Sequence, residues 1–340
     1  DMTSIIQART MRKTLLVVAL FSSLAAVAKE SSHQAPDFFQ RIQYENAPLP
    51  SPDAGREFFH LPNGKRLDHL SVKGRKLSLI SGRGASFTKR KQKQFESLYE
   101  EGKRVEDAPV QWVLRNLDTG KVIDQSLSAD MKMFGASVSK IFVGATLLAE
   151  REGDLSDREL QKLAEMISVS SNVAWLDLQR TIGGGDADEG RRKISEFTRE
   201  MGYKRTRGFQ GYLGKIHGNE LTASELGEFL YHTYWNRYDG AEVLWKVMHT
   251  CRTGGRKADK YLPGDLYLGG KTGTYSGTTV HPETGASKNP DGTPFRVNVR
   301  NQVVVFKYNG TQYGMALLTN KASNEDVALL AGGLFRKHII

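Results

Sequence analysis

A chain of 340 residues, 39% hydrophobic and 25% charged, has apolar material for one large domain or two, which excludes a disordered or collagen-like polymer. The formal net charge of +10 invites anionic partners. A single cysteine, Cys251, excludes both an internal disulfide and a multi-cysteine metal site.

In chain order, MRKTLLVVALFSSLAAVA sets Arg12 and Lys13 ahead of an apolar run from Leu15 to Leu24, followed by Ala26-Val27-Ala28. That is the layout of a cleavable secretory signal, with a run too short to span a bilayer. Residues 1–28 are therefore expected to be a signal peptide, with Met11 as the start and Lys29 near the mature end. A secreted or periplasmic protein without a stable membrane anchor follows. Export argues against nucleic acid as a partner, and the basic run Lys89-Arg90-Lys91-Gln92-Lys93 leads into a helical pattern carrying Glu96, Glu100 and Glu101. Anionic envelope polymers fit the charge better. Residues 29–85 hold Pro36, Pro48, Pro50, Pro52 and Pro62 and read as an extended lead with a small hairpin-like element near Gly64 and Gly74, with no assigned chemistry.

Regular patterning begins near Ser86. A helix is expected over about 89–103, then two strands in VQWVLRNLDTGKVIDQ joined at Asp118-Thr119-Gly120. Residues 137 to about 262 read as helical: Gly153 closes the first helix, and Ser156-x-x-Glu159 and Thr222-x-x-Glu225 read as capping boxes. Strands return in LYLGGKTGTY, NQVVVFKY and QYGMALLT, with a tight turn at Asn309-Gly310, and a last helix follows a capping Ser323. Strands from both chain ends thus bracket a helical insert. The expected fold class is α+β, an antiparallel sheet carrying helices beside a separate all-α lobe.

One stretch, FGASVSKIF, places Ser137 three residues before Lys140 where an apolar helix begins. The amides of a helix start favour developing negative charge, and burial of an amine there lowers its pKa, so the pair fits a nucleophile and its base, although taken singly it also fits two polar residues at the start of an ordinary helix. A second such pair, Ser86 and Lys89, opens the solvated run KRKQK and is a poor base. Two further motifs follow. Ser170-Ser171-Asn172 lies at a bend between helices, where Ser170 and Asn172 also fit plain capping roles. Lys271-Thr272-Gly273 lies on a strand, where Lys271 also fits a solvated position.

With these three motifs in this order, residues 86–340 resemble the penicillin-recognising serine hydrolases, most closely the class A β-lactamases. The resemblance implies a five-stranded antiparallel sheet lobe with an α-helical lobe, and a monomer that acts on a β-lactam or a cell-wall peptide without metal or cofactor. It also implies catalytic roles for Ser137, Lys140, Ser170 and Lys271. Substrate binding falls to Asn172, Thr272, Gly273 and Thr274, and an oxyanion hole to the amides of Ser137 and Thr274. The histidines, His232 and His249 among them, show no metal-ligand spacing.

The sequence departs from that family in the loop where a glutamate activates the deacylating water. Met201 to Asn219 contains no acid; ungapped counting puts Tyr212 at that place, and Glu220 and His217 stand nearby. Glu220 reads as a charge at the start of the next helix. Ser171 replaces the usual aspartate of the second motif, and Thr274 is the residue common in cell-wall peptidases. A D-alanyl-D-alanine peptidase and a non-catalytic lactam- or cell-wall-binding protein are the alternatives. Arg296 and Arg300, four apart on the approach to the next strand, share a face if it is extended and fit either a carboxylate-binding role or a solvated edge, and Trp112, Phe142 and Trp175 are expected in cores.

Overall fold

A computed structural model describes residues 58–211 and 213–340; the expected signal segment, the extension up to residue 57 and Tyr212 lie outside the described residues. From the N-terminal side come a two-residue hairpin of β1 (Ser71–Val72) and β2 (Arg75–Lys76), α1 (Lys89–Arg104), β3 (Val110–Asn116) and β4 (Val122–Gln125). From the C-terminal side come β7 (Gly269–Thr278), β8 (Arg296–Tyr308), β9 (Thr311–Thr319) and α8 (Asn324–His338). These close one antiparallel sheet in the order β4-β3-β9-β8-β7, so both chain ends build it, as expected. Asn309 and Gly310 both take positive φ, 44° and 78°, the turn that matches the twist of the β8–β9 hairpin.

Alternation decides the packing. Trp112 and Leu114 of β3, Val304 and Phe306 of β8, and Met315 and Leu317 of β9 are buried with Phe95 of α1 and Leu330 and Leu334 of α8. The opposite face of β3 and β9 receives α6 (Ala223–Tyr234), which joins the sheet to the helical lobe.

That lobe surrounds α2 (Lys140–Glu150), whose residues are buried without a break from Lys140 to Leu148. A helix apolar on every side must be wrapped, and here α3 (Asp157–Ser168), α4 (Asn172–Ile182), α5 (Ala187–Glu200) and α7 (Ala241–Met248) do so. Ser156 and Ser323 form complete capping boxes. Thr222 caps α6, but Glu225 turns its carboxylate to the Arg205 amide at 2.9 Å and the Thr206 hydroxyl at 2.6 Å, so the second half of the expected box serves a loop instead. Residues 58–85 lie on this body: the Ile80 amide donates to the His249 carbonyl at 3.0 Å and that of Gly82 to Leu266 at 2.9 Å. Among the described residues no helix is long and apolar enough to cross a membrane.

Candidate active site

Ser137 sits in a 3-10 turn, Ala136–Ser139, immediately before α2, rather than in the helix itself. In that tighter winding residues three apart eclipse, which aligns Ser137 with Lys140, the first residue of α2. The turn is held from the far chain end, for Asn301 on β8 donates to the Phe134 carbonyl at 2.9 Å and the Gly135 carbonyl at 3.2 Å.

The lysine of α2 is fully buried and its amine meets the second motif. Nζ lies 2.7 Å from the Ser170 carbonyl, 2.8 Å from Asn172 Oδ1 and 3.1 Å from Ser170 Oγ, and sits 4.9 Å over the Trp175 ring. Desolvation, helped by the nearby Lys271 charge, brings its pKa down to about 6. Ser170 takes a left-handed backbone, φ 59°, which aims its hydroxyl back between the lobes. Ser171, not Ser170 or Asn172, performs the capping of α4, accepting from the Ala174 amide at 3.2 Å.

Lys271 arrives from the edge strand β7. It too is buried, donates to Ser170 Oγ at 2.8 Å, and burial lowers its pKa to about 8. Ser170 Oγ is therefore shared by two amines from opposite lobes. Gly273 explains its own identity: a Cβ there would stand 2.9 Å from the Gly135 carbonyl oxygen and 3.0 Å from the Ser137 nitrogen. Only a bare Cα lets β7 press on the turn that carries Ser137. Thr272, one residue back, is buried and its hydroxyl bonds Thr253, whereas Thr274 is exposed toward the site.

Ser137 borders two recesses. A cavity of about 500 Å³ is lined by Ser137, Asn172, Thr274 and the rings of Phe134, Trp175 and Tyr275, with Gln210, His217 and Asn219 from the loop 207–219. A smaller recess of about 330 Å³ has Ser137, Ser170, Thr272 and Thr274 with Thr253, Arg256 and Lys257.

Three solved β-lactamase structures superpose on most of the chain. The β-lactamase of Xanthomonas campestris is 15% identical over 74% of this chain and 99% of its own, with a TM-score of 0.54. That of Streptosporangium roseum is 17% identical over 74% and 98%, at 0.53, and an ancestral class A enzyme 16% identical over 73% and 99%, at 0.52. The fold is that of the class A β-lactamases. No protein-family model and no curated protein matches the sequence.

Within this β-lactamase fold the structure gathers Ser137, Lys140, Ser170, Asn172, Lys271, Gly273 and Thr274 at one cleft. Glu220 is not the helix-terminus charge the sequence suggested. It pairs through β6 (Glu220–Leu221) with β5 (Met133–Phe134), is buried, and desolvation raises its carboxyl pKa. His217 lines the larger cavity. Trp175 is buried as expected, yet also forms cavity wall. Arg300 shares a face of β8 with Arg296 and reaches Asn298 Oδ1 at 2.8 Å. Sequence reasoning missed Lys257, which is buried, donates to Thr274 Oγ1 at 2.8 Å, and is brought to a pKa of about 7 by desolvation and then Lys271. Its signal was faint, a cation in the turn-rich segment CRTGGRKADK between the last lobe helix and β7.

Proposed function

We propose that the protein is a serine hydrolase that forms an acyl-enzyme with β-lactams or related amides carrying a carboxylate. The observation that supports it is the suspension of Ser170 Oγ between Lys140 and Lys271 at the cleft bordered by Ser137. A lysine with a pKa of about 6 is neutral at pH 7 and is able to take the proton of Ser137 as its oxygen bonds the carbonyl carbon. Collapse of the tetrahedral species breaks the C–N bond, and the proton passes from Lys140 through Ser170 to the leaving nitrogen. The amides of Ser137 and Thr274 stabilise the oxyanion. Asn172 binds the substrate's amide side chain, and Lys271 with Thr274, Lys257 and Arg256 holds its carboxylate.

The loop 207–219 carries no carboxylate, so deacylation lacks the base that acylation has. A positioned base contributes ~10²- to 10⁴-fold, and a long-lived acyl-enzyme follows. This favours, as a second reading, a D-alanyl-D-alanine peptidase or a sensor, in which a persistent lactam adduct is the normal outcome. Secretion through residues 1–28 and a catalytic domain over 86–340 belong to the same proposal. Intact-protein mass spectrometry after mixing with benzylpenicillin tests it: one covalent adduct lasting minutes or more on the wild type, none on Ser137→Ala. A wild type that neither carries an adduct nor consumes the penicillin defeats lactam chemistry, and turnover without any lasting adduct defeats the slow-deacylation account.

A further inference from the structure

Between β7 and β8 the chain makes an arm, residues 279–295, folded back on itself by bonds from the Thr279 amide to the Phe295 carbonyl at 3.1 Å and from the Phe295 amide to Ser287 at 2.9 Å. Thr279, Val280 and Ser287 of this arm line the cavity beside Ser137. The arm has two acids, Glu283 and Asp291, and Asp291 is spent inside it on Thr293, at 2.6 Å. Glu283 reaches out instead. It accepts from the Lys132 amide at 2.7 Å and from Arg205 Nη2 at 2.6 Å, with Lys132 Nζ at 4.0 Å.

Both partners adjoin segments that line the cavity. Lys132 precedes β5, whose Phe134 lines the cavity, and Arg205 leads into the loop 207–219 that supplies Gln210 and His217. One carboxylate therefore joins the arm to two separate segments. Burial opposes its charge, but the Lys132 amide and Arg205 hold the carboxyl below its ordinary value. The arm leaves β7 at Thr278, roughly 20 Å along the strand from Lys271. The walls between are aromatic: the rings of Phe134 and Tyr275 lie 5.0 Å apart, with Trp175 on the same cavity. A volume of about 500 Å³ suits a small ligand, not an extended chain.

We infer that Glu283 is a specificity-determining residue: it pins the arm across the cavity end away from Lys271 and so restricts the acyl side chain to a compact aromatic or apolar group. This rests on the acyl-enzyme reading above, deepens it, and disfavours long cell-wall peptides. Acylation rates for benzylpenicillin, and for a penicillin bearing a tripeptide on its amino group, are measured by mass spectrometry. Limited trypsin cleavage at the exposed Lys288 is followed in parallel. The wild type is expected to prefer benzylpenicillin by at least about tenfold. Glu283→Gln should keep the benzylpenicillin rate within about twofold, accept the tripeptide probe about tenfold faster, and be cut sooner at Lys288. The paired swap Glu283→Arg with Arg205→Glu should restore preference and protection. If Lys288 cleavage accelerates while preference stays unchanged, or if neither moves, the inference is overturned. If the wild type takes neither probe while the variant is still cut sooner, the acyl-enzyme reading has failed and the specificity role falls with it, although the clasp stands.

Discussion

A lysine is kept uncharged only where water cannot reach it, and Lys140 meets that condition as the first residue of a helix buried to Leu148. If its neutral amine removes the Ser137 proton, acylation must slow about tenfold for each pH unit below about 6. At the other end, loss of the Lys271 proton above about 8 weakens the hold on a substrate carboxylate. The expected profile for acylation by benzylpenicillin is thus a bell with limbs near 6 and 8, followed by stopped-flow or quenched mass spectrometry from pH 4.5 to 9. Lys140→Ala should lower the plateau by ~10²- to 10⁴-fold and abolish the acid limb. An acid limb that survives in that variant would assign the base elsewhere. The four residues proposed for this chemistry were legible as a group because their types are rare in combination in this order. Lys257 was not, since one lysine among many shows no burial in a sequence; only the folding of the turn under β7 removes it from water.

At the next scale, what matters is that an edge strand is pressed against a 3-10 turn. Nothing but hydrogen stands between Gly273 Cα and the Ser137 amide, so Gly273→Ala has to push β7 away or twist the turn. Both movements displace the two amides proposed for the oxyanion hole, and losing one such donor costs about 10²- to 10³-fold. A drop of at least tenfold in acylation is expected, with the circular dichroism spectrum and thermal midpoint near those of the wild type. Unchanged acylation would show that the contact does not position the hole. Elements of this kind were readable where pattern and caps agreed: Ser156 with Glu159, Asn309 with Gly310, and the apolar run Val303 to Phe306 of β8 each depend on neighbours in sequence. Glu220 was misread because its surroundings are set by pairing with Phe134, 86 positions earlier, which no local pattern carries. The joint made by Glu283 is hidden for the same reason, as its partners lie 78 and 151 positions away.

For the molecule as a whole, the site is a cost to stability that pH should reveal. Lys140, Lys257 and Lys271 have folded pKa values of about 6, 7 and 8, all below the ordinary 10.5 of an unfolded chain. Between pH 7 and 9 the unfolded chain keeps these protons, while the folded protein has already lost that of Lys140 and releases those of Lys257 and Lys271. Stability must therefore rise with pH in that window, by roughly 1.4 kcal/mol per pH unit for each lysine between its two values. Other shifted groups titrate outside it. His232 and His249 sit near 4 and Asp259 near 6, while Tyr203, Tyr234 and Tyr238 are raised, so that their unfolded counterparts ionise only near 10. The urea midpoint is expected to climb on the order of 1 M from pH 7 to pH 9, opposite to the flat response of a protein with solvated lysines. Lys140→Met should remove about two fifths of that climb, whatever its absolute stability, since the Ser170 carbonyl and Asn172 Oδ1 then lose a donor. A midpoint that is level or falls over the same range would mean that the three amines keep their protons in the fold, and a neutral base beside Ser137 would be ruled out with them.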